Sequence, residues 1–197
     1  VRRRSVACRQ ELIGEGFSAS RIKNWLRGKR ILKLFHGVYS FGRDVETREA
    51  GWRAALLVAG SGSALTGRSA LELWGAVKPR RAIPSLVKVA TPADRRGKHA
   101  GLSPALNETT VEVAKRKFEP GDTRNKDGLS LLRAALALIE FASSASEKEV
   151  TFAFLEMCRL RLFGKPDVSF CFRRLSGRPG ALKVKPLLAL WVPELNR

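Results

Sequence analysis

Apolar positions recur at helical spacing in residues 18–27, where Ile22, Trp25 and Leu26 stand at i, i+3 and i+4 and predict one buried helix face. Arg21, Lys23, Asn24 and Arg27 are left on the outer face. Ser18 is placed to cap the first turn, Phe17 to staple against Ile22, and Gly28 to stop the helix. Residues 31–35 and 38–41 are β-branched and aromatic, which predicts a hairpin turning at His36-Gly37. Glycine takes positive φ freely there, and His tolerates it better than most side chains. Upstream, residues 5–14 predict another short helix, with Leu12 and Ile13 inward and a break at Gly14-Glu15-Gly16. Two short helices, a tight turn and then a basic hairpin is the order of a helix-turn-helix followed by a wing.

Beyond the hairpin, residues 47–59 predict a helix with Trp52, Ala55, Leu56 and Ala59 on one face, and residues 69–74 a shorter one closed by Gly75. Trp52 and Trp74 read as core. Residues 83–91 and 108–118 read as strands, and residues 92–107 as an exposed loop with Arg95, Arg96, Lys98 and His99. Residues 120–128 read as a turn-rich connection. From residue 129 on, the pattern turns helical. Leu131, Ala135, Leu138, Ile139 and Ala142 form one stripe, and Val150, Phe154, Met157 and Cys158 form another. Helices over 167–175 and 181–190 follow, the last containing Pro186. The expected fold is α+β, an N-terminal winged helix-turn-helix followed by a mixed α/β region ending in a helical bundle. Its domains would be residues 1–80 and 81–197.

Charge gives this order a partner. The 197 residues carry 37 Lys and Arg against 18 Asp and Glu, a formal charge of +19. Residues 1–43 hold eleven of those cations and two Glu. Such an excess points to a polyanion, nucleic acid before an anionic membrane. No apolar run approaches a transmembrane length, and the basic start is not followed by a signal-peptide core, so the expected location is cytoplasmic without a membrane partner. In a recognition helix, Arg21, Asn24 and Arg27 are the candidates for base edges, because Arg pairs with guanine and Asn with adenine. Ser20 can reach a phosphate or a base, and Lys23 adds a phosphate-neutralising charge. Lys29, Arg30, Lys33 and His36 would meet backbone or minor groove from the wing, and Arg2, Arg3 and Arg4 would track the backbone as an arm. The competing reading is an ordinary helical pair with a solvated basic face.

No catalytic residue is expected. His36 and His99 stand apart from any Cys or acidic cluster, so neither metal nor cofactor is expected. Cys8, Cys158 and Cys171 fit neither a disulfide frame nor a zinc site and read as reduced, mostly buried thiols. No nucleophile elbow, Walker loop or dinucleotide fingerprint occurs. Glu140 and Glu156 fall on different helices and read as helix-edge charges or ion-pair partners, Arg159 among the candidates.

The run over residues 16–39, ending in Gly37-Val38-Tyr39, resembles the AbiEi-type antitoxins of type IV toxin–antitoxin systems in their actinobacterial form. The segments over residues 52–60, 69–75, 127–142 and 182–197 extend the resemblance. It implies a winged helix-turn-helix that represses its own operon by binding operator DNA, which repressors of this kind often read as inverted repeats. It also implies an antitoxin-like C-terminal α+β domain. The functional partner would be a nucleotidyltransferase-like toxin, neutralised without any need for direct contact. Two departures stand out. Thr66-Gly67-Arg68-Ser69 replaces the Ser-His-Arg-Ser usual in relatives, and residue 197 falls about where many relatives begin an endonuclease domain like those of very-short-patch repair. No nuclease activity is carried over. The alternatives are the front part of an endonuclease-like protein whose catalytic domain is missing, an RNA- or ribosome-associated basic protein, and a structural basic protein.

Overall fold

The computed structural model describes residues 5–41, 47–93, 100–103 and 109–191. In chain order its elements are β1 (Val6–Cys8), α1 (Arg9–Gly14), α2 (Ala19–Arg27), β2 (Ile31–Phe35), β3 (Val38–Phe41), α3 (Arg48–Ala59), β4 (Ala64–Leu65), α4 (Gly67–Trp74), β5 (Leu86–Pro92), β6 (Ala100–Ser103), β7 (Thr109–Arg116), β8 (Thr123–Lys126), β9 (Leu129–Leu132), α5 (Ala134–Ala142), α6 (Glu147–Arg159), α7 (Lys165–Leu175) and α8 (Ala181–Trp191). The fold is mixed α+β. The chain divides into two compact units, Val1–Ala64 with Pro79–Lys117, and Leu65–Lys78 with Phe118–Arg197. Each unit is thus built from two stretches of chain, where the sequence suggested a single cut after residue 80.

In the first unit, β1, β3 and β2 form an antiparallel sheet in that order. Residues 6–8, expected to open a helix, are a strand paired with β3. The helix starts only at Arg9, because Cys8 caps it: the Cys8 thiol accepts from Glu11 N–H, and Glu11 Oε2 accepts from Cys8 N–H at 2.9 Å. This shorter helix buries Leu12 at 1% exposure and leaves Ile13 at 50%, so Ile13 does not face inward. Leu12 joins Ala7, Ile22, Ile31 and Tyr39 in a core against which Phe17, Trp25, Leu26 and Phe41 pack. Arg53 of α3 fastens the edge of that core, donating to Val6 O at 2.9 Å and to Glu11 Oε1 at 3.2 Å.

The same unit holds β6, β7 and β5 as neighbours, with β5 and β7 parallel and β6 antiparallel to β7. Val87, Val89, Val111 and Val113 alternate inward. On the other face the cross-strand neighbours Lys88 and Glu112 pair at 3.5 Å. The strand expected from residue 83 begins at Leu86, and part of the expected 92–107 loop is β6. Arg95, Arg96, Lys98 and His99 lie outside the described residues.

In the second unit, β8 and β9 form a hairpin and Leu65 of β4 pairs parallel with Leu131 of β9. The supposed connection over 120–128 is therefore partly a strand, and residues 129–132 are a strand instead of the start of a helix. Asp127 and Gly128, both with positive φ, make the two-residue turn. Apart from the half-buried Glu140, helix α5 is apolar and buried all round, and α4, α6, α7 and α8 pack on it. Ion pairs brace the packing. Arg174 meets Asp122 at 2.6 Å, Arg133 pairs with Asp167 and stacks on Phe170 at 4.1 Å, and Arg178 pairs with Glu140. Glu156 pairs with Arg159 at 2.6 Å, as the sequence suggested. That pair's hydrogen bonds hold the Glu156 carboxyl below the usual range. Of the three thiols only Cys171 is fully buried, whereas Cys8 and Cys158 are half-buried.

Candidate nucleic-acid interface

Helix α2 is defined at both ends by its own residues. Ser18 Oγ accepts from Arg21 N–H at 3.2 Å, and Phe17, one residue earlier, packs on the core beside Ile22. At the other end Arg30 N–H bonds Trp25 O at 2.9 Å and Lys29 N–H bonds Leu26 O at 3.2 Å. This is the double-bonded helix stop in which the residue after the cap turns left-handed. That residue is Lys29, with φ of +53°, while Gly28 keeps φ of −80°. Glycine stands at the cap, but the strained position is filled by a lysine.

The faces of α2 divide cleanly. Ile22 is buried, and Trp25 and Leu26 are half-buried against the core. Ser20, Asn24 and Arg27, at i, i+4 and i+7, form one exposed stripe opposite that face. Asn24 Oδ1 accepts from Arg27 Nη2 at 2.9 Å, so two of the three base-edge candidates act together. Arg21 stands outside the stripe. Its guanidinium lies 5.1 Å from both the Phe17 and the Trp25 ring centroids, a double cation–π contact along the helix flank. Ser20 Oγ lies 3.0 Å from Ser18 Oγ.

On the other flank a cavity of about 390 Å³ is lined by Arg9, Ser20, Lys23 and Tyr39 with Ala19, Ile22 and Leu26. Arg9 and Tyr39 were not among the sequence candidates. The Gly37-Val38-Tyr39 run marked the tyrosine only as a family feature, and nothing local marked Arg9, whose backbone N–H is tied to Gly37 O at 2.8 Å.

The hairpin follows the expected bounds, with Gly37 at φ of +75° and His36 outside the positive region. Between Lys33↔Tyr39 and Phe35↔Val38 the register shifts, which makes Leu34 a bulge residue. The bulge lets Leu34 and Phe35 both face inward while Leu32 and Lys33 stay exposed. Lys29, Arg30, Lys33 and His36 are all exposed. Among the described residues nothing bonds Lys33 or His36 to α2. Arg2, Arg3 and Arg4 lie outside the described residues.

Among the described residues, no group of His, Cys, Asp and Glu could hold a metal ion, and no helix is long and apolar enough to cross a membrane. No protein-family model and no curated protein matches the chain. A solved structure does: the crystal structure of the RV2827C protein from Mycobacterium tuberculosis has 18% identity and a TM-score of 0.55. The match covers 94% of this chain and 72% of that one. At that identity the likeness speaks for the fold, and the α+β arrangement described above is similar to that protein's.

Proposed function

We propose that this protein is a sequence-specific, duplex-DNA-binding repressor whose N-terminal elements are a winged helix-turn-helix. In this reading α1 and α2 are the helix pair, α2 enters the major groove, and the β2–β3 hairpin is the wing. One observation carries it: Ser20, Asn24 and Arg27 form a single exposed stripe within residues 18–41, a stretch that contains no carboxylate. Arg27 and Asn24 read base edges, while Lys23, Lys29, Arg30, Lys33 and His36 meet the phosphodiester backbone and release counterions.

The sequence resemblance to AbiEi-type antitoxins extends the reading. The protein would repress its own operon in the cytoplasm and neutralise a nucleotidyltransferase-like toxin encoded beside it. Co-expression with the neighbouring gene tests that half: restored growth supports it, and unrelieved toxicity opposes it.

The nucleic-acid half is tested by titrating matched duplex DNA and single-stranded RNA across salt concentrations. The proposal expects tighter binding to duplex, with log affinity falling linearly in log salt. Equal or tighter RNA binding would favour an RNA-associated protein instead.

A further inference from the structure

We infer that the cavity beside α2 seats one sugar–phosphate unit of the duplex backbone and thereby fixes the register of α2 in the groove, an inference that rests on the DNA-binding reading above. The lining of the cavity is divided in its chemistry. Arg9 and Lys23 bring two positive charges, neither of them paired with a carboxylate among the described residues, and no acidic side chain lines the space. Ile22 and Leu26 form an apolar wall beside them. A phosphodiester with its deoxyribose carries the same division, with anionic oxygens on one side and ring carbons on the other. A lone phosphate would fill a small part of about 390 Å³ and leave the apolar wall uncovered.

Tyr39 adds a hydrogen-bond donor to the lining. It lines the cavity from β3, beside Arg9 and Lys23. Its O–H can donate to an acceptor bound in the cavity. A phosphate oxygen seated between Arg9 and Lys23 supplies one, in a charge-assisted bond of the stronger kind. The seat is also anchored on both sides. Lys23 belongs to α2 itself, and Arg9 is bonded through its backbone to Gly37 in the hairpin turn. A phosphate held there locks helix and hairpin to one backbone position. Backbone contacts serve that purpose: they set orientation, while base contacts carry the sequence.

The test is a methylphosphonate scan, in which duplexes of one sequence each carry one neutral linkage in place of a phosphate. Wild type, Tyr39→Phe and Arg9→Gln are compared, with thermal melting to confirm that both variants are folded. For wild type, one linkage should weaken binding roughly tenfold, beyond the small uniform loss at the others. Both variants should bind the unmodified duplex more weakly and lose their sensitivity at that linkage. If no linkage stands out for wild type, or if both variants keep the same sensitivity, the assignment is overturned while duplex binding stands. Should wild type show no preference for duplex over RNA, the DNA reading itself fails. Millimolar inorganic phosphate at constant ionic strength should not displace the duplex; displacement would mark a free-anion site and overturn the assignment.

Discussion

Arg27 donates from Nη2 to Oδ1 of Asn24 at 2.9 Å, across one turn of the exposed stripe of α2. The bond couples the two side chains, so they should read bases as a unit. Arg27→Ala should weaken binding to a preferred sequence by about 1–3 kcal/mol and relax the base preference. Asn24→Ala should do part of the same. The double variant should cost less than the sum of the singles, with a coupling of roughly 0.5–3 kcal/mol in a double-mutant cycle of binding constants. Strict additivity would separate the two residues.

The hairpin should behave differently. Lys33 is exposed beside the Leu34 bulge and offers a point charge without base-reading geometry. Lys33→Ala should weaken binding to every duplex about equally and lower the salt slope by roughly one unit. Binding to two unrelated duplexes across salt concentrations checks this; a loss confined to one sequence would move Lys33 into base readout.

Lys29 links stability to binding. A lysine at φ of +53° sits where glycine is favoured, at a cost of about 1–2 kcal/mol. The strained residue holds its charge exposed in a basic turn, where it can meet a phosphate. Lys29→Gly should raise unfolding stability by about 1 kcal/mol in urea titration and weaken duplex binding. A variant neither stabilised nor weakened would mean that the position carries no strain and makes no contact.

How much of this was legible in the sequence depended on whether the signal was local. Ser18, Ile22, Trp25, Leu26 and the His36-Gly37 turn act within a few residues of themselves, and α2 with its hairpin matched their predicted bounds. Residues 6–8 did not, because their strand exists only through pairing with β3, about thirty residues away. The β8–β9 hairpin did carry a local signal, Asp127-Gly128, a strong turn dipeptide. It was masked because Leu129, Leu131 and Leu132 run straight into the apolar α5. The cavity was not legible, since Arg9, Lys23 and Tyr39 come from three elements and meet only in the fold.

Gly180 tests the packing of the second unit. It is buried just before α8, and a Cβ there would meet Ile139 O at 2.6 Å, Ala142 Cβ at 2.8 Å and Ser143 N at 2.9 Å. Two of these are backbone atoms that cannot swing aside. Gly180→Ala should therefore destabilise the unit by about 1–3 kcal/mol in chemical denaturation. A neutral result would mean that α8 does not sit this closely on α5.

Cys171 gives that unit a pH dependence. Burial, helped by the Asp167 charge and opposed by Arg133, pushes its thiol from 9.0 up to about 12. The folded chain thus favours the protonated form. The stability this contributes is whole below the unfolded value near 9 and is lost as pH rises toward 12. Cys171→Ala should remove a constant amount of stability below pH 9 and flatten the fall above it. Unfolding midpoints of both proteins across that range check it, and parallel slopes would oppose it.

The most direct test of the central claim is a mobility-shift titration at physiological salt against the DNA immediately upstream of this protein's own gene, with unrelated duplex in excess. A sequence-specific repressor that reads bases through Asn24 and Arg27 retains the upstream fragment under that competition. Equal displacement by any duplex would contradict the claim and reduce α2 and its hairpin to a general DNA clamp.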